Sequence, residues 1–132
     1  MNEILKHLET FHGHLGPYAV IGYRMGIIAN ERLGADPFDK QVQVKTGTTP
    51  PLSCIIDGIQ YSSGCTLGKG NISVEADNDP TAIFKNKQGS SISITLKQGI
   101  RLDIDANVTK DNIIDYSKKI FNRSNDDLFI IQ

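Results

Sequence analysis

Two of the three histidines, both cysteines and one aspartate of this sequence are spaced so that they could do chemistry together. His12 and His14 flank a single glycine, Gly13, just ahead of Leu15-Gly16-Pro17. Imidazoles separated by one glycine can turn toward one point where the backbone is irregular. The helix start that follows favours anions and thiolates. Taken alone, one of the pair could as readily cap a helix or bond a buried carbonyl. Cys54-Ile55-Ile56-Asp57-Gly58-Ile59-Gln60-Tyr61 reads as a helix on which Cys54, Asp57 and Tyr61 share a face, with Ile55, Ile56 and Ile59 turned to the core. Cys54 falls in its first turn, where free N–H groups favour a thiolate. A single cysteine in such a setting is otherwise a small buried hydrophobe. Asp57, one turn on, suits a carboxylate that fixes the tautomer of a ligating histidine.

The third block is Gly64-Cys65-Thr66-Leu67-Gly68-Lys69-Gly70-Asn71. Its glycines suggest a tight loop. It is not a phosphate loop, because Gly70 and not Ser or Thr follows Lys69 and a helix precedes it. Neither cysteine belongs to a Cys-x-x-Cys pair, which excludes a zinc ribbon or thioredoxin motif. Two thiols and two imidazoles form a set for a soft or borderline divalent metal, zinc first, with His12, His14, Cys54 and Cys65 as ligands. A helix and turn must then bring Cys54 and Cys65 together. The main alternative is an enzyme in which Cys54 is nucleophile, His14 its base and Asp57 the orienting carboxylate. A metal-free interaction domain is a third.

Asn2 to Thr10 can form a short helix, and Phe11 to Pro17 breaks it. Pro17 suits the first turn of a second helix ending near Leu33, with Gly34 and Pro37 stopping it. Val20, Met25, Ile27 and Ile28 supply its buried stripe. Gly22 and Gly26, one turn apart, allow another backbone close to it. Gln41 to Thr46 alternates as a strand. Thr48 or Thr49 caps a third helix opened by Pro50 and Pro51, covering Leu52 to Ser62. Ile72 to Ala76, Thr81 to Lys85 and Ser91 to Leu96 follow as strands. Ile100, Leu102 and Ile104 alternate as a hairpin arm across Gln98 and Gly99. A last helix from Lys110 to Asn122 is capped by Thr109. The fold class is α+β, a helix-strand-helix-three-strand core with a mixed, largely antiparallel sheet, helices on one face and a C-terminal helix.

The 132 residues fit a single domain, 1–132, large enough to bury a core without disulfides. A net charge of -1 with no basic tract argues against nucleic acid as a partner. No apolar run approaches the roughly 20 residues that span a bilayer. Met1 to Thr10 carries Glu3, Lys6, His7 and Glu9, unlike a secretory signal. The expected compartment is therefore the cytoplasm, where thiols serve as ligands more often than as cross-links.

The strings Phe-His-Gly-His-Leu-x-Pro with Gly-Tyr-Arg-Met-Gly, then Cys-Ile-Ile-Asp-Gly-Ile-Gln, then Gly-Cys-Thr-Leu-Gly-Lys-Gly-Asn resemble, in that order, the FmdE family of formylmethanofuran dehydrogenase components. The similarity spans about Phe11 to Leu96 and covers the family's core domain, without the cysteine pairs of the C-terminal zinc-binding domain that many members carry. It implies a metal or active site at His14, Cys54 and Cys65, with His12, Asp57, Gln60 and Lys69 beside it. It also implies a metal-binding accessory protein, possible association with subunits of a redox or C1-metabolism enzyme, and a homodimer. In one respect the chain departs from the family, which commonly has Cys-Pro-Gly after His-Gly-His-x. Gly16-Pro17-Tyr18 stands there, so one thiol ligand is missing.

Overall fold

The computed structural model describes residues 1–132. Helix α1 spans Glu3–His12, and the Asn2 side chain accepts from the Leu5 N–H at 2.8 Å to cap it. Gly13 ends it at φ 103°, a left-handed conformation that glycine adopts without penalty. Helix α2 spans Pro17–Leu33, with Pro17 in its first turn as expected. Tyr18 to Gly22, Met25, Gly26, Ile28 and Ala29 are all buried. Burial on almost every side, wider than the stripe read from the sequence, makes α2 the central helix of the core.

Strand β1 is Lys40–Val44, and helix α3 is Cys54–Ser63. The helix begins later than Thr48 or Thr49 capping implied. Residues 49–53 form a turn in which Ser53 N–H donates to Thr49 O and Cys54 N–H to Pro51 O. Strands β2 (Ile72–Val74), β3 (Thr81–Asn86) and β4 (Ser91–Leu96) follow. Next come helices α4 (Gln98–Asn107), α5 (Ile113–Asn122) and α6 (Asn125–Leu128), and strand β5 (Phe129–Ile131). The sheet order is β2-β1-β3-β4-β5, with β1 and β2 parallel and the other pairs antiparallel. Val42, Val44, Ala82, Phe84, Ile92, Ile94 and Leu96 point to the helices, while Gln41, Lys85 and Ser91 point to solvent. The fold is the expected α+β class, with a mixed sheet and its helices on one face. No helix is long and apolar enough to cross a membrane.

Two further local expectations are corrected, and one strand is added. Ile100 to Ile104 is helical in α4, not a hairpin arm. Ile100 and Ile104 are buried and Leu102 is 59% exposed. Spacings of two and four fit either element over so short a run, and burial of only the i, i+4 pair selects the helix. Helix α5 starts at Ile113 because Thr109 and Asn112 bond one another's backbone N–H groups in a preceding turn. Strand β5, too short to show a period, pairs with β4 at Ile94, Thr95 and Leu96.

Close approach of α2 and α3 determines where the chemistry-bearing residues lie. A Cβ on Gly22 would come 2.0 Å from Ile55 O, and one on Gly58 would come 2.0 Å from Ala19 O and 2.4 Å from Tyr23 N. The two backbones therefore touch, and Asn30 Nδ2 donates to Ser62 O at 2.9 Å to fasten the crossing farther along. Exchanging an exposed mid-helix glycine for alanine stabilises by about 1 kcal/mol. Gly58→Ala has the opposite sign here. It is expected to cost about 1–3 kcal/mol as the helices are forced apart, read as a lower urea midpoint; an unchanged or higher midpoint would refute the contact.

Candidate functional site

A cavity of about 470 Å³ opens between the α1–α2 junction, the turn before α3, α4 and the start of α5. His12, His14 and Cys54 all line it. His12 is the last residue of α1, and the left-handed Gly13 turns the chain so that His14 returns beside it, ring centroids 4.8 Å apart. The His-Gly-His string thus does bring two imidazoles to one place, and the glycine is what permits it.

Helix α3 supplies the carboxylate. His12 Nδ1 lies 2.5 Å from Asp57 Oδ2, and the His12 side chain is only 9% exposed. A carboxylate can only accept, so Nδ1 carries a proton, which in a neutral ring leaves Nε2 as the acceptor. Nε2 is buried and has no hydrogen-bond partner. A buried acceptor without a partner is costly, about 1–3 kcal/mol, and the residue that carries it lines a cavity. Asp57 thus serves as the tautomer-fixing partner, but of His12. In the nucleophile arrangement it was assigned to His14, which is exposed and bonds no carboxylate.

Cys54 is the first residue of α3 and half-buried. Placement there was expected to favour its thiolate. Burial, and then the negative charge of Asp57, instead push its thiol above the ordinary range, outweighing a backbone hydrogen bond that acts the other way. Cys65 is elsewhere: fully buried in the core and absent from the cavity wall, its N–H donating to Ser63 Oγ at 3.1 Å. Helix α3 lies between the two cysteines. At 1.5 Å per residue, its ten residues make a rod roughly 15 Å long, with Cys54 at its start and Cys65 beyond its end. The helix and turn that were expected to join them instead separate them, and both thiols are free. Cys65 therefore does not share the cavity of His12, His14 and Cys54. Its glycine-rich loop is a closed structural turn. Thr66 caps a short 3-10 helix, Leu67–Lys69, and Asn71 Nδ2 ties the loop to Pro37 O and Lys40 O.

As they stand, no three His, Cys, Asp or Glu side chains converge closely enough to hold a metal. The donors nevertheless suit one in chemistry. Two imidazoles and a thiol line one cavity, one imidazole is orphaned at Nε2, and a carboxylate stands behind it. The absent family cysteine also has a structural counterpart: a Cβ on Gly16 would meet His14 Cε1 at 3.2 Å and Nδ1 at 3.7 Å.

Sequence reading missed the opposite wall. Tyr18, buried at the start of α2, donates to Asp105 Oδ1 at 2.6 Å. Burial first, then Asp105, push its phenol well above the usual range, against the weaker opposing pull of Arg101. Arg101 and Asn78 complete that side. Arg101 and Asp105 are four apart on α4, a signal hidden while the segment read as a strand. A second concavity, of about 340 Å³ over the polar face of the sheet, has Lys85 as its one titratable lining residue.

These features define an α+β domain with a half-buried His and Cys pocket at the junction of its first three helices. Residues 11–129 match the family model described as FmdE, Molybdenum formylmethanofuran dehydrogenase operon, and the chain belongs to that family. A tungsten formylmethanofuran dehydrogenase FmdE-like protein from Syntrophus aciditrophicus has the same fold. Its TM-score is 0.69 at 18% identity, over 98% of this chain and 69% of that one. A probable S-adenosyl-L-methionine-binding protein from Archaeoglobus fulgidus is 29% identical over 98 residues, 71% of this chain. The chain spans about a quarter of that protein, 26%.

The position of Cys54 is open to a direct check. With its thiol pushed above the ordinary range, metal-free protein should react slowly with iodoacetamide at pH 7 and faster as the pH is raised beyond roughly 8.5. Peptide mapping should place the label on Cys54 and spare buried Cys65. Rapid labelling of Cys54 at neutral pH would mean that the helix start outweighs burial.

Proposed function

We propose that this protein is a metal-binding accessory domain whose ion is held by His12 Nε2, His14 and Cys54, with Cys65 taking no part. The observation that carries the reading is the buried, unpartnered His12 Nε2, oriented from behind by Asp57. Histidine ligands to metals are typically held in this way, the second ring nitrogen donating to a carboxylate. Zinc accepts mixed nitrogen and sulfur ligands and is the first candidate. When bound, it would supply a Lewis acid and lower the pKa of a water at any open position. The chain's own residues do the rest. Asp57 keeps the His12 proton on Nδ1, the α2–α3 crossing holds Cys54 on the cavity wall, and the buried surroundings limit water.

Three side chains leave a coordination position open, and Gly16 puts no thiol there. An open position suits a domain that binds a ligand or presents its ion to a partner, such as a component of a redox or C1-metabolism enzyme. Self-association into a homodimer belongs to the same proposal. Strands β2 and β5 form the two sheet edges, and Ile130 on β5 is 49% exposed. Edges of this kind are commonly covered by pairing.

Metal analysis after zinc loading and dialysis tests the proposal. One equivalent is expected in the parent protein, with sharp losses in His12→Ala and Cys54→Ser and none in Cys65→Ser. Asp57→Asn should weaken zinc by about 10–100-fold. Gly16→Cys should tighten it by adding a thiol beside His14. Full occupancy in Cys54→Ser and His12→Ala, or no zinc in the parent, sinks the reading. For self-association, sedimentation at micromolar concentration should give a dimer, and a monomer alone would refute it.

A further inference from the structure

The histidine and cysteine residues form one wall of the cavity, and the wall facing them has its own chemistry. Arg101 of α4 is half-buried and lines the cavity. It donates to the backbone and side-chain oxygens of Asn78 at 3.3 and 3.4 Å, both long. A guanidinium has five donors in a planar fork, and beyond these long bonds this one has only the Tyr18 hydroxyl close by. None of the chain's ion pairs includes Arg101, although Asp105 lies one turn along the same helix. The Asp105 carboxylate is engaged by the buried Tyr18 hydroxyl instead. Between the two walls the lining is apolar: Leu52, Ile104, Val108 and Ile113.

We infer that Arg101 and Asn78 form a subsite for the carboxylate of a small organic acid. The acid's apolar body lies on Leu52, Ile104, Val108 and Ile113, and its far end faces His12 and Cys54. Charge selects the class. A planar monoanion matches one guanidinium fork bidentately. A phosphate dianion would meet that same single cation with Asp105 one turn away, and a primary amine would be repelled by Arg101. The walls also differ in kind, one with an unpartnered imidazole nitrogen and a thiol, the other with a cation outside any ion pair, so the ligand has a defined orientation. The inference rests on the cavity being a ligand site, as in the proposed function, but not on the metal.

The experiment is a chemical-shift titration of the full chain, stripped of metal with a chelator, using hexanoate, hexyl phosphate and hexylamine as separate probes. Hexanoate should shift the amides of Arg101, Ile104, Val108 and Leu52. Hexyl phosphate should bind several-fold more weakly, and hexylamine should leave the cavity amides unmoved. Arg101→Gln should weaken hexanoate at least roughly tenfold, the loss of a charge-assisted pair. Arg101→Lys should fall between, because it keeps the charge and loses the fork. Both variants should keep the parent's unfolding midpoint, since Arg101 makes only two long hydrogen bonds; if Arg101→Gln unfolds, Arg101→Lys carries the test. Undiminished hexanoate binding in the variants, hexylamine binding as tight as hexanoate, or no hexanoate shifts in the parent would overturn the inference. Zinc occupancy is read separately. Loss of zinc with hexanoate binding retained removes the metal and leaves the subsite, and the reverse removes the subsite alone.

Discussion

Backbone contact between α2 and α3 is the constraint on which the site depends. Helices packed through side chains run 8–10 Å apart, and any residue larger than glycine at positions 22 or 58 would force them toward that spacing. With glycine at both, Ile55 O and Ala19 O enter the space a Cβ would take. The first turn of α3 is thereby drawn against the first turns of α2. Cys54 shares a cavity with the His12-Gly13-His14 turn because Gly13 ends α1 where α2 is about to begin. A small outward shift of α3 would move both Cys54 and Asp57, so packing and site geometry rest on the same glycines.

The bond between His12 and Asp57 then gives the pocket its polarity. It joins α1 to α3 across 45 positions of sequence. It also places a proton on Nδ1 and leaves Nε2 buried without a partner. That arrangement is costly for a bystander and useful for a ligand. Asp57 acts on Cys54 in the opposite sense. One turn along the same helix, its charge adds to burial in keeping the thiol protonated. One carboxylate therefore prepares the histidine as an acceptor or ligand and restrains the cysteine, which favours binding over unaided nucleophilic chemistry.

The second cysteine shows how a motif can serve the fold. Cys65 lies past Gly64, the left-handed end of α3, in a loop held by Thr66 and Asn71. Nearby, Lys40 is buried at 3% exposure and donates to Gly34 O at 2.8 Å and Asp36 O at 3.0 Å, satisfying carbonyls just beyond α2. Burial pushes the Cys65 thiol up, against the smaller opposing effects of the Ser63 hydroxyl and then the Lys40 charge. This cluster pins the far end of the α2–α3 pair to the sheet, while His12, Asp57 and Cys54 occupy the near end.

Much of this was legible in the chain itself. Pro17 and Gly34 bracket α2, alternating apolar residues mark β1, β3 and β4, and the glycines at 22 and 26 left room for a close backbone approach, though simple tolerance of glycine fitted the sequence equally well. His-Gly-His marked a meeting of two rings, since a lone glycine between them can take the left-handed turn. Where the periods were short, the reading failed: three isoleucine and leucine residues over five positions fit both a strand and α4, and β5 is too short to have a period. Which carboxylate holds which histidine, whether Cys65 reaches Cys54, and that Arg101 faces the pocket were decided only by tertiary structure. Each depends on the distance between elements far apart in sequence. Spacing along a chain measures distance only within one element, and α3, a rigid rod, converts eleven positions into separation.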